Sequence, residues 1–201
     1  MRKKICCFIC FFIVTICFAD EYVISKIECV ETQNLYDREL TLKYDDEDNV
    51  FYLFRSTYSR SYWFTLNPSK LEQLRQNLIK TQEWAKLAKD NKSSIKKEIP
   101  NSVIKVSGTM KSGNDWYTTY KDIPLKFFFV SSFSDDFEIV SLMLVGDEQE
   151  SKQNQFIDIE FESVLFLNSE IDDFANAISK ETVDNAIKKH TEEKQATDIF
   201  K

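Results

Sequence analysis

Runs in which every second residue is apolar dominate this chain, and each of the two runs breaks into helical spacing just after an Asn. In YVISKIECV, Val23, Ile27 and Cys29 fall on one face, with Lys26 and Glu28 on the other. ELTLKY sets Leu40, Leu42 and Tyr44 against Glu39, Thr41 and Lys43. A period of two is the signature of a strand buried on one face. DDEDN, residues 45–49, is a polar turn into VFYLFRS, and RSYWFTL follows after a short turn near Thr57. Four closely connected strands predict an antiparallel meander.

Asn67-Pro68 changes the period. Asn is a good N-cap, and Pro suits the first helical position, where its missing N–H costs nothing. Leu71, Leu74, Leu78, Trp84, Leu87 and Ala88 follow at helical spacing, with Lys86, Lys89 and Lys92 near the end to complement the dipole. A helix from Pro68 to about Asn91 is predicted, and Ser93 to Asn101, with Pro100, reads as a linker. Strands then resume: SVIKVSGTM, a hairpin turn at residues 112–115, DWYTTYKD, LKFFFVSSF, a turn at 134–136, and FEIVSLMLV. After the polar loop GDEQESKQNQ, FIDIEFESVLFL alternates Ile157, Ile159 and Phe161 with Asp158, Glu160 and Glu162. Asn168-Ser169 then opens a second helix carrying Ile171, Phe174, Ala175 and Ile178.

FTLNPSKLEQLRQNL and LFLNSEIDDFANAI share one plan with a one-residue gap. Two units are therefore expected, residues 20–92 and 102–180, each an antiparallel meander of about four to five strands followed by a helix across one sheet. The fold class is α+β, with 181–201 as a charged tail or frayed helix. In strand order this arrangement resembles the PC4-like, Whirly and PUR folds, over nearly all of the chain beyond residue 19. The resemblance is one of topology and implies single-stranded nucleic-acid binding on the sheets.

The N-terminus bears on the compartment. Arg2, Lys3 and Lys4 precede an uninterrupted, mostly apolar run from Ile5 to Ala19, fifteen residues long and followed at once by Asp20 and Glu21. A spanning helix needs about 20 apolar residues, so a secretory signal peptide cut after Ala19 is the expectation. Two alternatives stand beside it: a retained anchor, and a lipoprotein acylated at Cys17, where Val14-Thr15-Ile16-Cys17 has lipobox spacing with a bulky Ile16. Membrane attachment is expected only in those two cases. Cleavage removes four of the five cysteines, C-x-x-C at residues 7–10 included. Only Cys29 remains, so no disulfide forms within the chain and stability rests on the core. Cleavage also leaves 23 basic against 33 acidic residues, a net of −10. Such a charge works against nucleic acid as a partner.

Chemistry-bearing constellations are sparse. His190, the only histidine, lies in the charged tail, far in sequence from Cys29, which sits on the apolar face of its strand. Asp45 to Asn49 lacks EF-hand spacing and its Gly. Asp158, Glu160 and Glu162 form a carboxylate row suited to acid–base work, and equally to the outer face of a strand. Lys86, Lys89, Lys92, Lys96 and Lys97 cluster around the end of the first helix. No Gly-rich phosphate loop or zinc spacing is present, and no cofactor is expected. Arg55, Tyr58, Arg60, Tyr62 and Trp63 interleave cations with aromatics and form the candidate ligand surface. Phe64 and Leu66 continue the parity of Tyr62, which also reads as the rim of a core. These features together lead to an exported, non-enzymatic protein that binds a protein partner or an envelope component. A carboxylate-only hydrolase and a nucleic-acid binder are the alternatives.

Overall fold

The computed structural model describes residues 21–32 and 36–198, so the leader, its cleavage after Ala19 and the acylation of Cys17 lie outside the described residues. The first strands follow the alternation: β1 (Tyr22–Glu31), β2 (Asp37–Asp45), β3 (Val50–Ser56) and β4 (Arg60–Leu66) form a meander. In the turn between β2 and β3, buried Asp45 accepts hydrogen bonds from the N–H groups of Glu47 and Asp48, 3.0 and 3.2 Å. The first helix, α1 (Pro68–Asn91), starts with Pro68 at its N-terminus, and the Asn67 side chain accepts from the Lys70 N–H at 2.9 Å. Lys92 closes it in the left-handed region, φ 48°. Next come β5 (Ile95–Glu98), β6 (Ile104–Ser112), β7 (Asp115–Thr118), β8 (Ile123–Phe133) and β9 (Glu138–Gly146). The short pair β10 (Gln149–Glu150) and β11 (Asp158–Ile159) leads to β12 (Val164–Leu167), α2 (Ser169–Ala177) and α3 (Lys180–Asp198).

These strands do not make two meander-plus-helix units. Eight of them, in the order β1-β2-β3-β4-β6-β8-β9-β12, close into one antiparallel barrel, because β4 pairs with β6 across the α1 excursion and β12 returns to β1. The expected α+β pair of open sheets, and with it the likeness to PC4-like, Whirly and PUR folds, is replaced by a closed barrel with, among the described residues, three helices. The physical reason is edge pairing: two open meanders would each expose unpaired strand edges, and joining them edge to edge removes these. The apolar faces assigned to two separate sheets are the inside of the same barrel.

An eight-stranded barrel is just wide enough for side chains to fill. Here Leu40, Leu42, Leu53, Phe64, Leu66, Phe127, Phe129 and Phe166 are fully buried. At one end α1 packs across the opening with Leu71, Leu74 and Leu78 buried, and Trp84 meets Phe129 edge-on at 5.8 Å. Burying each such side chain contributes about 1.5–3 kcal/mol. Only two residues of β1 pair with β12, Val30 and Glu31, and α2 packs along β1 and β12. Phe174 of α2 stacks on Phe166 of β12 at 4.5 Å. Asn168 stands at the N-cap position of α2, as its sequence suggests, but its side chain makes no capping hydrogen bond. Its φ of 44° turns the side chain to β9, where it accepts from the Val140 N–H at 3.1 Å.

The opposite end is closed by residues 147–163. FIDIEFESVLFL is not one strand, yet its alternation survives: Ile159 and Phe161 are buried, and Phe161 meets Phe64 edge-on at 4.8 Å.

Candidate functional site

The five candidate residues separate into three settings along the β3–β4 hairpin. Arg55 and Tyr62 face the barrel interior and are 4% and 8% exposed. Tyr58, in the hairpin turn, is fully exposed, and Arg60 is exposed at the first position of β4. Trp63 has the opposite parity to Tyr62 and lies on the outer face.

Inside, Arg55 bridges two carboxylates. Its Nη2 lies 3.4 Å from Glu31 Oε2 and also donates to Glu162 Oε2. Arg38 Nε donates to the same Glu31 oxygen at 2.7 Å. Arg55 Nε and Nη1 are buried without a hydrogen-bond partner among the described residues. A buried ion pair costs several kcal/mol of desolvation per charge, so this network is not by itself a source of stability. Burial pushes the Glu160 carboxyl above its ordinary range, the charges of Glu162 and Glu148 push it further, and Arg55 pulls it back. One raised and one ion-paired carboxylate side by side have the polarity of an acid–base pair. The slot that Arg55, Tyr62, Glu160, Phe161 and Glu162 line, however, admits no water-sized sphere.

Cys29 lies among these core residues, 2% exposed, its thiol pushed up to about 12 chiefly by burial. His190 stacks on Tyr22 at 4.4 Å, on the helical side of the molecule. Among the described residues no group of three or more side chains could hold a metal ion, and no helix is long and apolar enough to cross a membrane.

Outside, three rings and two lysines form a row over five strands. Lys43 Nζ of β2 sits 3.6 Å from the centre of the Phe54 ring of β3. Phe54 and Trp63 are register partners, their rings 5.0 Å apart, and Trp63 meets Trp116 of β7 at 5.1 Å. Lys111 of β6, the register partner of Trp116, sits 5.3 Å from the centre of that ring. The rings are half-buried, and the Trp63 indole N–H has no acceptor among the described residues. Beside Phe54 opens a groove of about 630 Å³, lined also by Glu28, Glu39, Thr41 and Ser56.

Sequence reasoning named Arg55 and Trp63 but missed the partners that make them an inner network and an outer row, and both leave a signal. Glu31 shares the parity of Ile27 and Cys29, and Arg55 that of Phe51 and Leu53. A charge in a core register needs a counter-charge there. Phe54 and Trp63 are aromatics on the solvent parity of strands whose other face already supplies the core. No protein family, no curated protein and no solved structure matches the chain.

Proposed function

We propose that this chain is a non-enzymatic binding protein that engages a protein partner on the outer face of β2, β3, β4, β6 and β7. The row Lys43–Phe54–Trp63–Trp116–Lys111 carries the reading. Large rings on the outside of a barrel find no core to enter, and a contiguous aromatic face rimmed by charge is the composition of an interface. Binding energy concentrates in Trp, Tyr and Arg. Trp63 and Trp116, with Tyr58 and Arg60 exposed at the adjacent hairpin tip, supply all three types. The barrel interior is filled with side chains, which favours the surface over an internal ligand. The basic start and short apolar run ending at Ala19 support export, so the partner is an extracellular or envelope component.

Capture from the native source tests this with tagged wild type and the variants Tyr58→Ala, Arg60→Ala and Trp63→Ala. A specific partner should be lost from the two hairpin-tip variants, which keep the wild-type melting temperature. Loss of one anchor costs about 2 kcal/mol, or roughly 30-fold in affinity. A partner retained equally by all three variants would refute the assignment.

A further inference from the structure

Strand residues fill most of the barrel interior, but the non-helical end is filled by Phe161 and Glu162, which belong to no strand. On either side, the backbone ties the closing segment down. β10 and β11 pair with each other, Tyr120 N donates to Glu150 O at 2.8 Å, and Thr32 N donates to Ser163 O at 3.1 Å. Between these ties, residues 160–162 make no backbone hydrogen bond among the described residues. Side chains hold them instead: the Phe161 ring lies edge-on to Phe64 at 4.8 Å, and Glu162 accepts from Arg55 Nη2.

This arrangement leaves Arg55 unsatisfied. A guanidinium presents its donors in a planar fork that suits a carboxylate on two of them at once. Glu31 and Glu162 both meet the same nitrogen, Nη2, while Nε and Nη1 are buried with no partner among the described residues. Water cannot supply one, since the slot admits no water-sized sphere. Buried donors are almost always paired, so an orphan here needs a cause. Withdrawal of residues 160–162 would also reverse the formal charge. Arg38 and Arg55 now stand against Glu31, Glu160 and Glu162; without the segment the two arginines face Glu31 alone. What leaves is one aromatic ring with its carboxylates. What stays is an apolar wall of Leu40, Tyr62 and Phe64 beside a guanidinium with donors to spare.

We infer that residues 160–162 are a displaceable plug over a binding site for a small aromatic monocarboxylic acid, with Phe161 and Glu162 holding the places of its ring and carboxylate in the closed state. The acid's carboxylate takes Nη2 of Arg55, which Glu162 vacates, together with the neighbouring Nε, and its ring lies on Phe64. Both halves are needed: a carboxylate without a ring gains nothing from Phe64, and the matching alcohol gains no ion pair with Arg55. The site lies inside the barrel and the row Lys43–Phe54–Trp63–Trp116–Lys111 lies outside it, so either can fail without the other.

Titration of the wild-type chain with 3-phenylpropionate, followed by arginine side-chain NMR signals and amide exchange, tests the inference. The Arg55 Nε–H signal should move downfield and saturate as it gains a carboxylate. Amide exchange at residues 160–162 should quicken as the plug is displaced, while α1 keeps its protection. Acetate and 3-phenylpropanol at the same concentrations should do neither. Glu162→Gln removes the competing carboxylate and should tighten binding of the acid about tenfold, by raising the fraction of chains with the end open. An unmoved Arg55 signal, exchange at residues 160–162 that the acid leaves unchanged or slows, equal binding of acid and alcohol, or a Glu162→Gln chain that binds the acid no more tightly than wild type would each overturn it.

Discussion

Arg55 on β3 stands directly opposite Tyr62 on β4, and both side chains point into the barrel. The pair marks the boundary between two kinds of interior. Toward the helical end, Tyr62 stacks parallel to Phe64 with ring centres 6.4 Å apart, and the core is apolar beyond it. Toward the other end, Arg55 gathers Glu31 and Glu162 beneath the closing segment.

Tyr62→Ala therefore empties part of the core. The expected loss is about 3 kcal/mol, at the lower end of the range for truncating a buried aromatic. Arg60→Ala, two residues away and exposed, should stay within about 0.5 kcal/mol of wild type. Urea melts of the two single variants give the comparison. A Tyr62→Ala protein as stable as wild type would place that ring outside the core.

Glu160 predicts a pH effect. Its carboxyl is raised from the ordinary 4.5 by burial first, then by Glu162 and Glu148. The folded chain thus holds this proton more tightly than the unfolded chain does. Stability from the group is fully present below pH 4.5 and is lost as pH rises through the raised folded value. Glu160→Gln keeps the shape and removes the charge, so it should raise the melting temperature at pH 7, and the gain should vanish toward pH 4. A variant with equal gain at both pH values would mean that charge at this position plays no part.

The period-two pattern reported which face of each strand is buried, and Ile27, Cys29, Leu40 and Leu42 lie where it put them. Asn67-Pro68 marked the start of α1 because a cap and its helix are adjacent in sequence. Closure of the barrel was not legible. It depends on Tyr62 pairing with Met110 and Glu31 with Val164, and periodicity says nothing about which strand is the neighbour across such separations. The same limit hid the inner network. Glu31 and Arg55 are each odd charges on a core face, and they become a pair only when β1 and β3 are known to flank β2. The outer row needs even more of the fold, since Trp63 reaches Trp116 only after β6 has come between β4 and β7.

Gly146 holds the closing segment in place, and its substitution tests how the non-helical end is sealed. It ends β9 opposite Leu125, in a position where the strand approaches Phe161 closely. A Cβ added here would stand 2.6 Å from Phe161 Cβ, and 3.0 and 3.1 Å from the side chains of Ile123 and Leu125. Phe161 Cβ is fixed to its own backbone and cannot swing aside as a side-chain tip would, so the whole segment must shift. Gly146→Ala should cost about 1–3 kcal/mol, the usual penalty for overpacking. The displacement also pulls Glu162 from Arg55, so amide exchange should quicken through residues 157–163 while α1 stays protected. Gly113 is the control: its φ is +59° and nothing lies within 4 Å of a Cβ there. Gly113→Asn, which tolerates the left-handed region, should leave both melting and exchange unchanged. If Gly146→Ala instead behaves like Gly113→Asn, Phe161 does not rest on β9, and another contact must seal this end of the barrel.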